Sequence, residues 1–404
     1  MTDSLASGST GRRRKILATG GFAHFIHDGF TDTMYVLLPL WAEAFGLSHS
    51  QVGFLKMCSS GALASFQIPA GLLAERFGER AVLVIGTIIA GVSFALLGLA
   101  GGFAALIVTL IAFGIGSSTQ HPLASTIVSK AYDGGGRRAA LGTYNFSGDL
   151  GKVAVPVTVA TGAVAIGWRE SVMAYGVIGI AAGVLIYFLL RRFDAGDRPR
   201  SEPVQEAKAD AAPPGWGVRD RRGFSVLSII GMIDTGARLS FLTFMPFLLI
   251  SKGAAVESVG FALALVFVGG AAGKLLCGLI AERVGIIRTT VITEVATGGM
   301  ILALVALPLT PALFLLPVLG VALNGTSSVL YGTVGDFIDP DRQARAFGLF
   351  YTLGVGSGAL SPLLFGIISD AGGVELTLNL LAAAVFLTLP LCAFLTPSLA
   401  RLKI

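Results

Sequence analysis

The fold of this chain is decided by a segment that occurs twice, GLLAERFG at residues 71–78 and GLIAERVG at residues 278–285. The two copies are 207 residues apart, and at the same offset Pro39 matches Pro246. Two further regions align within one residue of that offset. Chance rarely produces several matches at one spacing, so the sequence predicts two homologous halves.

The composition restricts the class of protein. Of 404 residues, 54% are hydrophobic and 13% are charged, whereas soluble domains carry about 25% charged residues. The mean hydropathy is +0.79. Such a chain cannot hide its apolar surface as a soluble enzyme, and it is too apolar to be disordered. The three cysteines, Cys58, Cys277 and Cys392, have no paired spacing that indicates disulfides or zinc. A polytopic membrane protein is predicted.

Continuous apolar runs favour transmembrane helices, each of which needs about 20 residues. We predict an all-α integral membrane protein with twelve spans in two pseudo-symmetric six-helix bundles, at 20–190 and 224–397. A cytoplasmic tail at 1–19, a linker at 191–223 and a tail at 398–404 complete the chain. The predicted spans are 20–41, 50–73, 80–100, 104–129, 140–164, 171–190, 224–250, 258–280, 288–308, 311–334, 344–369 and 374–397.

The distribution of basic residues predicts the orientation. With the N-terminus inside, 23 of the 29 Lys and Arg fall in cytoplasmic segments, and only Arg169 and Lys252 fall outside. The positive-inside rule therefore places both termini in the cytoplasm, which for a bacterial cell means the inner membrane. It also explains the basic net charge of +5 without nucleic acid as a partner.

The repeated segment lies between spans 2 and 3 and again between spans 8 and 9. We expect a latch, in which glycine lets helices approach and the charged residues form contacts that break when the protein changes conformation. The segment resembles the loop signature of the major facilitator superfamily, with Glu where that family usually has Asp. The resemblance implies two bundles that alternate access to a central site. The residues of this gating motif are Gly71, Glu75, Arg76, Gly78, Gly278, Glu282, Arg283 and Gly285.

A narrower resemblance concerns HFIHD at residues 24–28 and GIGSSTQHP at residues 114–122. Both are similar to segments of the fosmidomycin-resistance permeases. That resemblance implies a proton-coupled exporter of small compounds that are often anionic or drug-like.

Charged residues inside a span are costly and indicate function. His24, Asp28 and Asp32 follow one another at intervals of four residues and form one stripe on the first helix. We expect the stripe, with Tyr35 near it, to face a central cavity. Asp28 is the leading candidate proton carrier, and a structural carboxylate paired with Arg or His is the alternative. His121 is either a proton relay or a hydrogen-bonded residue that stabilises a kink.

The candidate substrate-binding residues lie on several spans. Asp234 and Arg238 either pair with each other or leave Arg238 to hold an anion. Asp149 and Lys152 are three residues apart, and we expect them to neutralise each other. The full predicted set is Arg238, Asp234, Asn145, Asp149, Tyr35, Tyr331, Asn324 and Tyr351.

Secondary transport, with export by proton antiport, is the predicted function. Uptake of a small organic anion and, less favoured, efflux of a metalloid are alternatives within that class. A membrane-embedded enzyme is the alternative outside it, but no catalytic constellation is recognisable. His24, His27 and Asp28 suggest a metal, yet the two histidines point the same way less neatly than ligands four residues apart, and no second ligand motif accompanies them. No metal and no cofactor are therefore predicted. The predicted partners are a small-molecule substrate, protons and the lipid bilayer, for a monomer.

Overall fold

The computed structural model describes residues 2–133, 135–197, 218–338 and 343–402. The chain forms two compact units, Met1–Phe45 with Cys58–Val204, and Gly46–Met57 with Gln205–Ile404. Most of the predicted linker at 191–223 lies outside the described residues. The described residues are helical apart from short turns and one isolated bridge between Val218 and Ile338.

The described residues form thirteen α-helices and one short 3-10 helix, Gly335–Phe337. Those of the first half are α1 Thr2–Phe45, α2 His49–Phe77, α3 Glu79–Leu97, α4 Phe103–Ser117, α5 Gln120–Ala131, α6 Arg137–Ile166 and α7 Trp168–Arg192. Those of the second half are α8 Arg221–Ser251, α9 Val256–Val284, α10 Ile286–Ala306, α11 Leu309–Val334, α12 Gln343–Phe386 and α13 Thr388–Leu402.

Among the described residues, ten segments are long and apolar enough to cross a membrane. One of them, Phe347–Arg401, has 55 residues, more than twice the length of about 20 that one span needs. It contains Gly373, whose φ of 80° interrupts the helical backbone, so this segment accommodates two spans. Helix α1 is not among the ten, since His24, His27, Asp28 and Asp32 reduce its hydropathy. The predicted all-α membrane class is confirmed.

The packing of the two units repeats. In the first unit α1 packs on α6, and α3 packs on α4 and α7. In the second unit α8 packs on α12, and α10 packs on α11 and α13. Each unit also has its own apolar core, which includes Leu83 and Ile186 in the first and Leu227 and Phe337 in the second. The duplication expected from the repeated segment is therefore present in the fold.

The repeated segment forms the same turn in both units. Helix α2 ends before Gly78, which has a φ of 88°, and α9 ends before Gly285, which has a φ of 94°. Only glycine adopts this region at little cost, so the last residue of the motif is required by the turn. A Cβ at Gly71 or Gly278 would meet no described atom within 4 Å. The expected close helix contact at these two glycines stays a prediction.

The predicted span at 104–129 is present as one apolar segment, Phe103–Ala131. A turn at Ser118 and Thr119 separates α4 from α5 within it. Pro122 has no N–H to donate to the carbonyl of Ser118, which explains the turn. In addition, α1 extends back to Thr2 through the region predicted as a tail, and Ile16 is buried in the core of the first unit.

Candidate functional site

The first unit holds a group of polar side chains around Asp28, on α1. The Asp28 carboxyl is buried, with a side-chain exposure of 6%. Its Oδ2 lies 3.2 Å from His24 Nε2 and 3.3 Å from Lys152 Nζ. Its Oδ1 lies 3.8 Å from both His27 Nε2 and His121 Nε2. We call Asp28, His24, His27, His121 and Lys152 the Asp28 cluster.

Aromatic contacts hold the three imidazole rings in place. The His121 ring meets the rings of His24 and His27 edge-on, with centroids 5.1 and 4.8 Å apart. The His24 ring stacks on Tyr144 at 4.2 Å, and its Nδ1 is 3.0 Å from the carbonyl oxygen of Tyr144. Because a carbonyl only accepts, Nδ1 carries the hydrogen of this bond.

Glycines on α6 allow this helix to approach α1. A Cβ on Gly148 would lie 2.6 Å from Asp28 Oδ2 and 2.7 Å from His24 Nε2. A Cβ on Gly151 would lie 2.1 Å from the carbonyl oxygen of Phe25. The break between α4 and α5 places His121 on a separate helix, α5, which also packs on α1. Three helices therefore build the Asp28 cluster.

Lys152 is shared among three carboxylates. It lies 3.3 Å from Asp28, 3.8 Å from Asp149 and 3.9 Å from Asp32. The expected pairing with Asp149 is present, but the shortest contact is to Asp28 on another helix. Lys152 is therefore paired with Asp149 as expected and also contacts Asp28 and Asp32 on α1. The Asp28 carboxylate has histidine and lysine partners, whereas the alternative considered from the sequence was Arg or His.

The second unit holds a different group, which we call the Asp234 cluster: Asp234, Arg238 and Glu294. Asp234 on α8 and Glu294 on α10 are 5% and 2% exposed. The two carboxyls lie close enough to influence each other. Asp234 Oδ2 receives no hydrogen bond from a described donor. Thr388 Oγ1 donates to Glu294 at 3.4 Å.

Arg238 lies near enough to Asp234 for its charge to act on that carboxyl. Its Nε is buried with no hydrogen-bond partner among the described residues. A buried guanidinium nitrogen with unused bonding capacity can bind a carboxylate, phosphonate or sulfonate group. Both interpretations made from the sequence, the pairing and the anion site, remain compatible with this arrangement.

Glu294 was missed by the sequence analysis. The available signal was an acidic residue inside the apolar run at 288–308, which is rare enough to suggest function. His27 is not among the proton-coupling candidates predicted from the sequence. Its contact with His121 depends on the packing of α5 on α1, which the sequence does not show.

The other predicted substrate-binding residues lie in varied environments. Tyr35 and Asn324 are buried, and Asn324 Nδ2 donates to the carbonyl of Gly320 at 3.2 Å. Asn145 is exposed on α6. Tyr331 and Tyr351 are about half exposed at 49% and 48%. Their roles stay predictions.

Several charged side chains lie around the first copy of the gating motif. The Arg76 guanidinium lies over the Phe77 ring, 5.3 Å from its centroid. In that vicinity Lys130 pairs with Glu79, and Arg80 pairs with Asp197. Ion pairs of the motif residues Glu75, Arg76, Glu282 and Arg283 therefore stay a prediction.

Two bundles with buried charges in apolar helices define a polytopic membrane transporter. The family model of the Major Facilitator Superfamily matches residues 20–362 and 227–402. The chain belongs to the Major Facilitator Superfamily. It is a secondary transporter of small compounds, a multi-pass membrane protein and not an enzyme.

Named relatives share most of the chain. The probable sulfoacetate transporter SauU of Cupriavidus necator is 26% identical over 89% of this chain and 88% of its own length. The fosmidomycin resistance protein of Escherichia coli is 24% identical over 97% of this chain and 95% of its own length. The crystal structure of a bacterial homologue of the human lysosomal transporter Spinster matches with a TM-score of 0.74 and 18% identity, covering 97% and 96% of the two chains.

Proposed function

We propose that the chain is a proton-coupled transporter of a small organic anion, and that it exports this anion in exchange for protons. The observation that carries the proposal is a buried carboxylate, Asp28, held between the ammonium of Lys152 and three imidazoles. Groups that titrate, buried in apolar helices, are typical of proton pathways. The likeness to the fosmidomycin resistance protein supports export.

The second unit supplies the proposed anion contact. Arg238 offers an unpartnered, buried Nε to a ligand. Relatives named as transporters of sulfoacetate, hexuronate and gallate carry acidic compounds. An arginine fork matches the planar or tetrahedral oxygens of such groups. We therefore propose Arg238 as the residue that contacts the anion, and Asp28 with His24, Asp32 and His121 as the proton-coupling residues.

Uptake of the anion together with protons is the second candidate, and one observation favours it. Lys152 neutralises Asp28 at 3.3 Å. An anion that drew the ammonium away would leave a buried carboxylate unpaired, at a cost of several kcal/mol. Protonation of Asp28 removes that cost, so anion and proton would bind together.

One experiment separates the two candidates. Purified protein in liposomes that contain a pH-sensitive dye is exposed to sulfoacetate, gallate or fosmidomycin from outside. Antiport makes the lumen more alkaline, because protons leave as the anion enters, and cotransport makes it more acidic. The sign does not depend on the orientation of the protein in the liposome. Anion entry with no change in lumenal pH would contradict proton coupling altogether.

Asp28→Asn tests the proton assignment in the same assay. We expect the substrate-driven pH change to disappear, because an amide cannot gain or lose a proton in this range. The melting temperature of the variant in detergent shows whether it is folded. A full pH change in folded Asp28→Asn would remove Asp28 from the pathway.

Arg238→Ala tests the anion contact. The loss of one charged hydrogen-bonding partner corresponds to about 1.5–3 kcal/mol, or roughly a tenfold to hundredfold weaker apparent affinity for the anion. Arg191→Ala, at the end of α7, is a matched control that removes an exposed arginine. Equal affinity in Arg238→Ala and wild type would exclude the proposed contact.

We also propose that the protein is a monomer in the inner membrane with both termini in the cytoplasm. The bias of basic residues supports this orientation.

A further inference from the structure

Three of the four histidines of this chain converge on one carboxylate. The sequence has only four histidines, and His24, His27 and His121 all lie within 3.8 Å of an Asp28 oxygen. One ligand atom each from His24, Asp28 and His121 lie within 4.8 Å of one another. Two imidazoles and a carboxylate are a donor set that suits divalent transition metals.

The hydrogen bond of His24 fixes which of its nitrogens is available. Nδ1 donates to the carbonyl of Tyr144 at 3.0 Å, so Nε2 of the neutral ring presents a lone pair. That lone pair faces Asp28 Oδ2 at 3.2 Å. Two acceptors at this distance repel each other unless a cation, either a proton or a metal ion, lies between them. A metal-bound histidine typically donates its other nitrogen to a carbonyl in this way.

Unsatisfied nitrogens point to the same place. His24 Nε2 and His27 Nε2 are buried without a hydrogen-bond partner among the described residues. The two residues are 3% and 8% exposed. The side chain of His121, by contrast, is 41% exposed, which gives an ion a route to the cluster. Buried polar atoms without partners require an explanation, and a bound ion supplies one.

We propose that His24, His121 and Asp28 bind a divalent transition-metal ion of the Zn²⁺ class, with His27 beside the ion as a further ligand. The sequence alone argued against a metal because His24 and His27 align less well than ligands four residues apart and no second ligand motif accompanies them. The packing of α5 on α1 supplies the missing donor, His121. The inference does not depend on the direction of transport or on proton coupling.

The positive charge of Lys152 disfavours a cation at Asp28, but the Lys152 ammonium has two other carboxylates nearby. Its Nζ lies 3.8 Å from Asp149 and 3.9 Å from Asp32. When the ion binds Asp28, the ammonium can turn to these two carboxylates without becoming unpaired. The metal and Lys152 therefore compete for one carboxylate.

The test is metal binding to the purified full chain after removal of any affinity tag. Titration calorimetry with ZnCl₂ should give one site per chain. His121→Ala and His24→Ala should each weaken Zn²⁺ binding by at least about tenfold. Even the loss of a residue that only hydrogen-bonds to a metal ligand weakens metal binding by about 10–100-fold. His49→Ala is the matched control, because His49 bonds Ser369 outside the cluster, and it should leave the affinity unchanged.

X-ray absorption of the Zn²⁺-loaded protein provides a readout that does not depend on how well a variant folds. We expect nitrogen and oxygen neighbours at about 2.0–2.2 Å and no sulfur. Sulfur ligation would assign the ion to a cysteine and overturn the proposal. Unchanged Zn²⁺ affinity in His121→Ala or His24→Ala, or no binding to the wild-type chain, would overturn it as well.

Discussion

The Asp28 and Asp234 clusters occupy corresponding places in the two homologous halves but surround their carboxyls with different partners. Asp28 and Asp234 are 206 residues apart, within one residue of the repeat offset. Asp28 is held by Lys152 and histidines, whereas Asp234 is next to a second carboxyl, Glu294. The duplication kept the acid on the first helix of each half and changed its partners.

The substitutions responsible lie on the neighbouring helices. At an offset of 206, Lys152 corresponds to Gly358 and His24 corresponds to Ile230. Conversely, Glu294 of the second half corresponds to Ile88 of the first half. The first unit thus neutralises its carboxylate with a fixed cation. The second places Asp234 beside both Arg238 and a second carboxyl, Glu294, and two adjacent buried carboxyls ionise together only at a cost.

Removing the cation from the Asp28 cluster should have the largest effect on stability. We expect Lys152→Met to destabilise the fold by about 3–5 kcal/mol, because it leaves a buried carboxylate without its main partner. Thermal unfolding in detergent measures the change. The double variant Asp28→Asn with Lys152→Met should recover most of the loss. A simple sum of the two single effects would mean that the ion pair contributes nothing.

A matched glycine pair compares the space around the two clusters. Gly148→Ala should destabilise by about 1–3 kcal/mol, since the methyl group would overlap Asp28 and His24. Gly354, at the corresponding position of the second half, would place its Cβ 3.5 Å from Thr235 Oγ1, an ordinary contact. Gly354→Ala should therefore be neutral or stabilising by up to about 1 kcal/mol. Equal losses in both variants would refute this difference between the units.

The smallest expected effect on stability comes from the N-terminal cap of α8, the first helix of the second half. Asp220 caps α8, accepting a hydrogen bond from the Gly223 N–H at 3.1 Å. Hydrogen bonds from Ser398 and from Gly223 lower the pKa of the Asp220 carboxyl below its usual value. Asp220→Ala should cost about 1 kcal/mol at pH 7.

The pH dependence of that loss has a definite sign. The pKa of the Asp220 carboxyl is lower in the folded protein than in the unfolded chain, where it is about 3.9. The ionised carboxylate therefore stabilises the fold at pH values above the unfolded-state pKa. This stabilisation is lost as the pH falls through the folded-state pKa. The difference in melting temperature between wild type and Asp220→Ala should be constant from about pH 8 to pH 5 and should narrow below about pH 4. A difference that grew under acid conditions would contradict the role of the ionised cap.

Much of the fold could be predicted because the relevant signals are local or periodic. The continuous apolar runs predict helices, and the copies at 71–78 and 278–285 predict the duplication. The turn between α4 and α5 was not predicted, although Pro122 is visible in the sequence. A proline in a span only bends the helix when neighbouring groups satisfy the freed carbonyl, so the sequence does not distinguish a bend from a break.

The sequence by itself determined that this chain is a duplicated, helical membrane transporter, and it identified His24, Asp28 and His121 as unusual in apolar helices. Only the tertiary structure decided their partners. The contacts of Asp28 with Lys152 and His121 join residues more than 90 positions apart, and Asp234 meets Glu294 across helices. Helical periodicity orders side chains along one helix. Which faces of two helices meet depends on close packing, here on glycines such as Gly148 and Gly151 that let α6 approach α1.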